Sequence, residues 1–541
     1  MSTPTDSTVH VVVVGAGHNG LVAACYLARA GLTVEVVESD EVLGGAVSTV
    51  ERWPGVRVDR GSSAHVIIRQ SGIVEELDLA AHGLRYVDCD PWGFAPAPRP
   101  GDDGPDGRPL VFSVDLDATC ASIEAACGPE DAGAYRRFVD VWGRRGRAVV
   151  TAFGREPSLT GLVRSFWGLG AARKGHPPTS GASLAAEFLG SGNALLDRWF
   201  GSERLKAALA WFGAQSGPPM SEPGTAAMVG WVALLHDVPP GHPVGGSGEL
   251  TAALRRRLES DGGRVVLGDG AARLLVEKDR ITGVETVSGR RVRADAVVAA
   301  CHIGVTRALA GDAAPKALAE ADPPLGNGFG LVVRALTDAP PSYPGVEPDL
   351  ASSGLQLLCT DRAELAAAHG DWGAGRLPRS PVPLAMSFSA SDPTLAPPGQ
   401  HVVTIWGQWY PYTLADGGDW DALADGEARR LIGAVDRFAP GFAASVRETY
   451  VQTPLSLERE LSLPRGNVMH VEMGLASMFA LRPTPLLSRY RVPGLEGLYL
   501  AGASTHPGGG VSGNSGRAAA HALLRDSRPL RRFFIRSREI S

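Results

Sequence analysis

Several things are scarce in this 541-residue sequence, beginning with charge. Asp, Glu, Lys and Arg make up 20%, against roughly 25% in average soluble proteins. The 52 basic and 58 acidic residues leave a net −6, which argues against a dedicated nucleic-acid binder. Lysine is almost missing, with Lys174, Lys206, Lys278 and Lys316 the whole complement; we read that as background composition. The six cysteines include no C-x-x-C pair, so neither a disulfide framework nor a dithiol mechanism is supported, and a reducing, cytoplasmic setting fits. No run approaches the ~18 apolar residues of a spanning helix, and the polar start Met1–Thr8 lacks the positive region of a secretory signal. G-x-S-x-G and H-E-x-x-H are absent, leaving hydrolase and metalloprotease chemistry without support and no metal site to expect.

What is abundant is glycine, 68 residues where an average chain of this length would hold about 38. Such a surplus means disorder or many close backbone approaches to a ligand. A 44% hydrophobic content suffices for a sizeable core, and the length suggests two domains.

The strongest signal opens the chain. Val9 to Val14 (VHVVVV) has the β-branched continuity of a strand buried on both faces of a parallel sheet. It runs into Gly15-Ala16-Gly17-His18-Asn19-Gly20, a G-x-G-x-x-G. Leu21 to Ala30 reads as a helix closed by Gly31, and Thr33 to Val37 as a second strand ending in Glu38. Gly15 permits the tight turn, Gly17 lets a pyrophosphate touch backbone, and Gly20 lets helix and strand pack closely. Glu38 can accept hydrogen bonds from a ribose and repels a 2′-phosphate, which disfavours NADP.

A second glycine pair follows in Leu43-Gly44-Gly45-Ala46-Val47-Ser48-Thr49. It resembles the second glycine motif of the large FAD-binding oxidoreductase superfamily that includes amine oxidases and carotenoid desaturases. Members usually carry arginine after the pair; Ala46 leaves only the backbone contacts of Gly44 and Gly45. The segment Asp59-Arg60-Gly61-Ser62-Ser63-Ala64-His65 also matches the layout, lying near the flavin in that family. At the other end, LYLAGASTHPGGGVSGNSGRAAAHALL (498–524) reads as a strand, a glycine-dense loop and an alanine-rich helix. It resembles the phytoene desaturase and carotenoid oxidoreductase family, where this segment closes the FAD site. The resemblance implies that Gly502, Ala503 and Val511 face the cofactor, with His506 nearby.

Between these ends, Pro243 to Leu250 leads into a helical stretch through Leu258. Apolar runs at Arg264 to Leu267, Arg273 to Glu277, Ile281 to Val287 and Ala294 to Ala300 suggest a β-meander feeding back into the parallel sheet; the resemblance places Ala271 beside the adenine. The expected fold class is therefore α/β (α+β overall). It combines a discontinuous Rossmann-type FAD-binding domain (9–75, 240–312 and 490–525) with a mixed sheet-and-helix substrate domain (76–239 and 313–489) and a basic tail (526–541).

In the middle segments, residues 56–99, LKAALAWFGAQSGPPMSEPGTA (205–226) and GNVMHVEMG (466–474) are similar to the desaturase-like β-carotene ketolase branch. The related pyridine nucleotide-disulfide oxidoreductase domain-containing protein 2 type shares GN-x-x-H, Arg482-Pro483 and the H-P-G-G-G loop. The resemblance implies an FAD-dependent oxidoreductase acting on a large apolar isoprenoid, by carotenoid ketolation or desaturation. The alternatives are an oxidation belonging to that second branch, an amine-oxidase-like reaction on a smaller substrate, or a non-catalytic flavoprotein. His506 and His65 are the catalytic candidates, although a structural histidine is the commoner outcome. Trp406, Trp409, Tyr410 and Tyr412 suit either an apolar channel or a core. An apolar substrate also makes a peripheral membrane contact worth seeking, at the stretch from Arg525 to Ser541, which equally suits a solvated basic tail, or at Ser165-Phe166-Trp167 flanked by Arg164, Arg173 and Lys174. Oligomeric state is left open.

Overall fold

The computed structural model describes residues 6–99, 104–171 and 179–527. Two seven-stranded sheets dominate it. The first is built on Ser7–Val14, whose last four valines are fully packed. Val34–Val37 and Arg291–Ala299 flank that strand in parallel, Arg264–Val266 extends one edge, and Leu498–Leu500 extends the other. Arg280–Thr286 pairs antiparallel with the early part of Arg291–Ala299, and Ala271–Glu277 pairs antiparallel on its outer side. Arg264–Val266 thus stands apart from the expected meander: it pairs in parallel with Val34–Val37 on the far edge of the sheet.

Helices close both faces of this sheet, as buried parallel strands require. His18–Arg29, Gly248–Ser260 and the alanine-rich Asn514–Asp526 share one apolar cluster with the sheet. The other face packs on Ile303–Ala310 and neighbouring loops. Small residues set the spacing. A methyl group on Gly516 would lie 2.0 Å from the Asn19 carbonyl oxygen, so the first and last helices touch backbone to backbone.

The second sheet runs in the order Val446–Gln452, Gly330–Thr337, His401–Gln408, Pro383–Met386, Leu355–Leu357, Gly93–Ala95, Leu110–Phe112. Every pairing is antiparallel except Leu355–Leu357 with Gly93–Ala95. The apolar runs Leu331 to Leu336, Gly354 to Cys359, Val382 to Phe388 and Val402 to Trp409, which suit a sheet by sequence, all contribute strands here. The two short strands near residue 100 were not legible, because they border a Pro- and Gly-rich stretch and are three residues long. One face of the sheet carries the helix Trp420–Asp436. Beside the sheet lies a large apolar cluster formed with the helices Pro129–Phe153 and Glu203–Ala214. Pro129 at the first helical turn, followed by Glu130 and Asp131, starts the longest helix as helix-dipole chemistry favours. Trp92, Trp142 and Trp211 are fully buried there; side chains of this size contribute on the order of 3 kcal/mol each.

The two sheets are tied through one segment. Arg334, fully buried in the second sheet, donates to the carbonyls of Asp59 (2.8 Å) and Gly61 (2.7 Å). Gln452 Nε2 donates to the Arg60 carbonyl at 2.8 Å. The Asp59–Ala64 segment is thereby held between the sheets, where the main cavity opens. All six cysteines are free thiols. Among the described residues no helix is long and apolar enough to cross a membrane, and no cluster of three or more His, Cys, Asp or Glu could hold a metal ion.

Candidate active site

A large cavity, about 1880 Å³, lies between the carboxyl ends of the parallel strands and the second sheet. That is the topological position where open α/β sheets bind dinucleotides. Its volume exceeds the ~300–1,000 Å³ of a typical small-ligand pocket. Its walls differ from end to end.

One end is a cradle made largely of backbone. Gly15, Gly17, Glu38, Gly44, Gly45 and Ala271 line it. Helix His18–Arg29 begins here with Gly17 at its N-cap and no side chain capping it, so its first amide groups remain for a ligand. A methyl group on Gly17 would meet no protein atom within 4 Å; the space above it belongs to whatever the cavity holds. Gly20 does not line the cavity. A methyl group there would lie 2.1 Å from the Gly15 carbonyl oxygen, which makes it the packing glycine that the motif requires. The Glu38 carboxylate accepts from the backbone amides of Ala16 (2.7 Å) and Asp40 (3.0 Å). It is thus fixed at the cavity wall with lone pairs left for hydroxyl groups. Asp40 and Arg60 pair beside it at 2.7 Å.

His18 is the residue that sequence reasoning missed here, hidden as an unspecified position inside G-x-G-x-x-G. It lines the cavity, and its buried Nε2 has no partner among the described residues. Burial pushes it down to about 4, so the ring is neutral near pH 7. The ring's other nitrogen hydrogen-bonds the Gly510 backbone, which leaves Nε2 a buried acceptor without a partner, one that a hydroxyl of a dinucleotide would satisfy. A capless helix start, an empty-faced Gly17, a fixed carboxylate and the orphaned His18 Nε2 together fit a dinucleotide.

The middle of the cavity is walled by Ser62–Ala64, Ala503, Gly509, Gly510 and Val511, with His302 and His470 beside them. Gly502 is one step behind: a methyl group there would lie 2.4 Å from the Cys301 carbonyl oxygen. The glycine density of this loop therefore has two causes. Gly509 and Gly510 border the cavity, while Gly502 admits the neighbouring chain.

The histidine candidates also lie behind the wall. His506 is fully buried, its ring packed against Phe153 and Phe479, which do line the cavity. Its Nε2 bonds the Ala152 carbonyl at 3.2 Å, and burial pushes it down to about 4. His65 bonds Tyr86 Oη and Ser247 Oγ, both at 2.8 Å, and burial pushes it down to about 3. Neither histidine is among the lining residues. Both are buried and neutral behind the lining; His65 is bonded at both ring nitrogens, His506 at Nε2 alone among the described residues.

The far end is built from side chains. Phe153, Phe166, Phe188, Phe212, Trp231 and Trp406 line it, with Phe329, Met228 and Met386. Of the four aromatic residues singled out near position 410, only Trp406 reaches the cavity. Trp409 and Tyr410 are buried in the core, and Tyr412 bonds Glu458. The acidic lining residues are Glu38, Asp40 and Glu460. They cluster at the cradle, where Arg60 pairs with Asp40 and donates to the Glu460 carbonyl. The aromatic end holds no acidic side chain among the lining residues. At its mouth Val163, Trp167 and Leu189 are exposed, Trp167 by 83%. Arg173, Lys174 and most of the basic tail, proposed as membrane contacts, lie outside the described residues.

Comparison with known proteins agrees with this geometry. Residues 13–77 match the NAD(P)-binding Rossmann-like domain, and residues 181–524 match the flavin containing amine oxidoreductase model. The pyridine nucleotide-disulfide oxidoreductase domain-containing protein 2 of Mus musculus is 34% identical, over 95% of this chain and 93% of its own. A phytoene dehydrogenase of Streptomyces griseus is 28% identical over 94% of each chain. In fold, an oxidoreductase from Methanosarcina mazei aligns with a TM-score of 0.60 at 17% identity, covering 95% of this chain and all of its own. The chain belongs to the flavin-containing amine oxidoreductase family and is an FAD-dependent oxidoreductase.

Proposed function

We propose that this enzyme oxidises a large apolar isoprenoid, a carotenoid or its precursor, by desaturation or ring ketolation. The cradle glycines, Glu38 and Ala271 would hold the adenosine and pyrophosphate of FAD, and Ala503 and Val511 the flavin end. In the same reading, segments 9–75, 240–312 and 490–525 serve the cofactor, and 76–239 and 313–489 serve the substrate. Bound FAD supplies a hydride acceptor. The chain's own residues orient the substrate against it and exclude water.

The observation that carries the substrate class is the aromatic end of the cavity, which is wide, apolar and without a carboxylate among its lining residues. An ammonium substrate would be desolvated there with no counter-charge, which is costly. A hydrocarbon loses nothing on entering and gains by burial. The 28%-identical relatives named phytoene dehydrogenase and hydroxyneurosporene desaturase support the same class. Exposed Val163, Trp167 and Leu189 at the mouth would rest on a lipid surface from which such a substrate enters.

Expression in cells that accumulate β-carotene, and separately phytoene, tests this reading through the pigments formed. Echinenone or canthaxanthin indicates ketolation; lengthened conjugation from phytoene indicates desaturation. Unchanged pigments in both, from cells whose purified protein carries FAD, would overturn the substrate class.

A further inference from the structure

His470 is held more tightly than a structural loop residue needs to be. Its backbone is left-handed, with φ of 63°, a conformation that a non-glycine residue keeps only when its surroundings enforce it. Three successive carbonyls are pinned here. Arg482 Nη2 donates to those of Met469 (2.7 Å) and Val471 (3.1 Å), and His302 Nε2 to that of His470 (3.0 Å). His302 Nδ1 accepts from the Gly304 amide at 3.0 Å, which makes its Nε2 the protonated nitrogen.

The side chain is oriented by a second relay. The Ile303 amide donates to Ser504 Oγ at 3.1 Å, and that hydroxyl lies 3.4 Å from His470 Nδ1, to which it can donate. With the serine as donor, His470 Nδ1 is the acceptor. That places the His470 proton on Nε2, which has no protein partner among the described residues. His470 lines the cavity. Burial, with His302, Arg482 and His18 nearby, holds it well below its ordinary value, so it is a neutral donor.

Its place in the fold says what it faces. His302 and Ser504 sit on the loops leaving the carboxyl ends of Arg291–Ala299 and Leu498–Leu500. Met469 packs against Gly509, where an added methyl would meet Met469 Cα at 2.5 Å. His470 therefore belongs to the middle wall, between the dinucleotide cradle and the aromatic end. We propose that His470 donates a hydrogen bond from Nε2 to a heteroatom of the bound flavin ring, and that Ser504 and His302 are positioning residues fixing its tautomer. This rests on FAD occupying the cradle.

A donor at the ring favours the electron-rich reduced flavin over the oxidised one. The test is FAD content and midpoint potential of the wild type, His470→Ala, His470→Gln and Ser504→Ala, by anaerobic dye-coupled reduction. His470→Ala should keep its FAD and bind the reduced form about tenfold less well relative to the oxidised, a fall of about 30 mV for the two-electron couple. His470→Gln, which keeps an N–H donor, should recover part of that shift, and Ser504→Ala should show a smaller fall. FAD-loaded His470→Ala at the wild-type potential would overturn the inference. Should that variant not fold, FAD-loaded His470→Gln and Ser504→Ala both at the wild-type potential would overturn it equally. A wild type that takes up no FAD would instead break the cofactor reading, and this inference with it.

Discussion

The two ends of the cavity are made of different material. The cradle is backbone: glycines, a helix start and one carboxylate fixed by two amides. The aromatic end is side chain, contributed by helices and strands scattered from Phe153 to Trp406. A backbone-built site demands local spacing, because the chain must turn, touch the ligand and pack against itself within a few residues. A side-chain-built site demands only that large apolar groups converge, and many sequences satisfy that. The first is rigid and specific for one cofactor; the second is tolerant in shape and selective mainly by polarity.

The sharpest way to break this contrast is acid. His18, His65 and His506 sit at about 4, 3 and 4 in the folded protein, below the ordinary 6.5. The unfolded chain therefore takes up protons first as pH falls, and stability is complete above about pH 6.5 and drains below it. Each histidine should account for roughly 2 kcal/mol of loss by pH 5. Denaturant titrations at pH 7.5 and 5 check this, and equal midpoints would refute the buried neutral state of these rings.

Next comes the cradle backbone. Gly20→Ala places a methyl against the Gly15 carbonyl, and Gly516→Ala places one against that of Asn19. Each should cost about 3 kcal/mol or more, read as a lowered unfolding midpoint. Gly17→Val is the complementary case, since its Cβ meets no protein atom within 4 Å and faces the cavity. It should fold normally and bind FAD at least about a hundredfold more weakly, the equivalent of ~3 kcal/mol. Normal FAD content in folded Gly17→Val would show that the cofactor does not lie over the first helix. The smallest effect belongs to the mouth. Trp167→Ala should reduce co-sedimentation with liposomes by about tenfold at most, a fraction of one buried aromatic side chain, while FAD content stays unchanged.

The same contrast explains what the sequence made legible. Gly15, Gly17, Glu38, Gly44 and Gly45 meet at one wall because each is tied to its neighbours by a turn whose geometry leaves a short-range trace. Ala271, Ala503 and Val511 also line the cavity, but they were identified only through resemblance, since their meeting depends on strand order across hundreds of residues. His18 was passed over because G-x-G-x-x-G leaves its position unspecified, and no local pattern reveals an unpartnered ring nitrogen. His302 belongs to no motif. His470 stood in GN-x-x-H, yet its left-handed backbone and its tie to Ser504 depend on loops from three parts of the chain. Phe188 carries no signal, and Phe166 and Phe212, though they stand in segments singled out for membrane contact and family likeness, show no cavity role until helices bring the three to one surface. His506 drew attention for its motif, but the space it fills is behind the wall, between Phe153 and Phe479.

The most direct test of a backbone cradle for FAD joined to an apolar, carboxylate-free substrate end is anaerobic reduction of the bound flavin. The FAD-loaded protein would be mixed with phytoene or β-carotene in liposomes and, separately, with primary amines of increasing chain length. Bleaching of the flavin band by the isoprenoid, with a matching oxidised product and no bleaching by the amines, is the result expected. Bleaching by an amine with the isoprenoids inert would contradict the account.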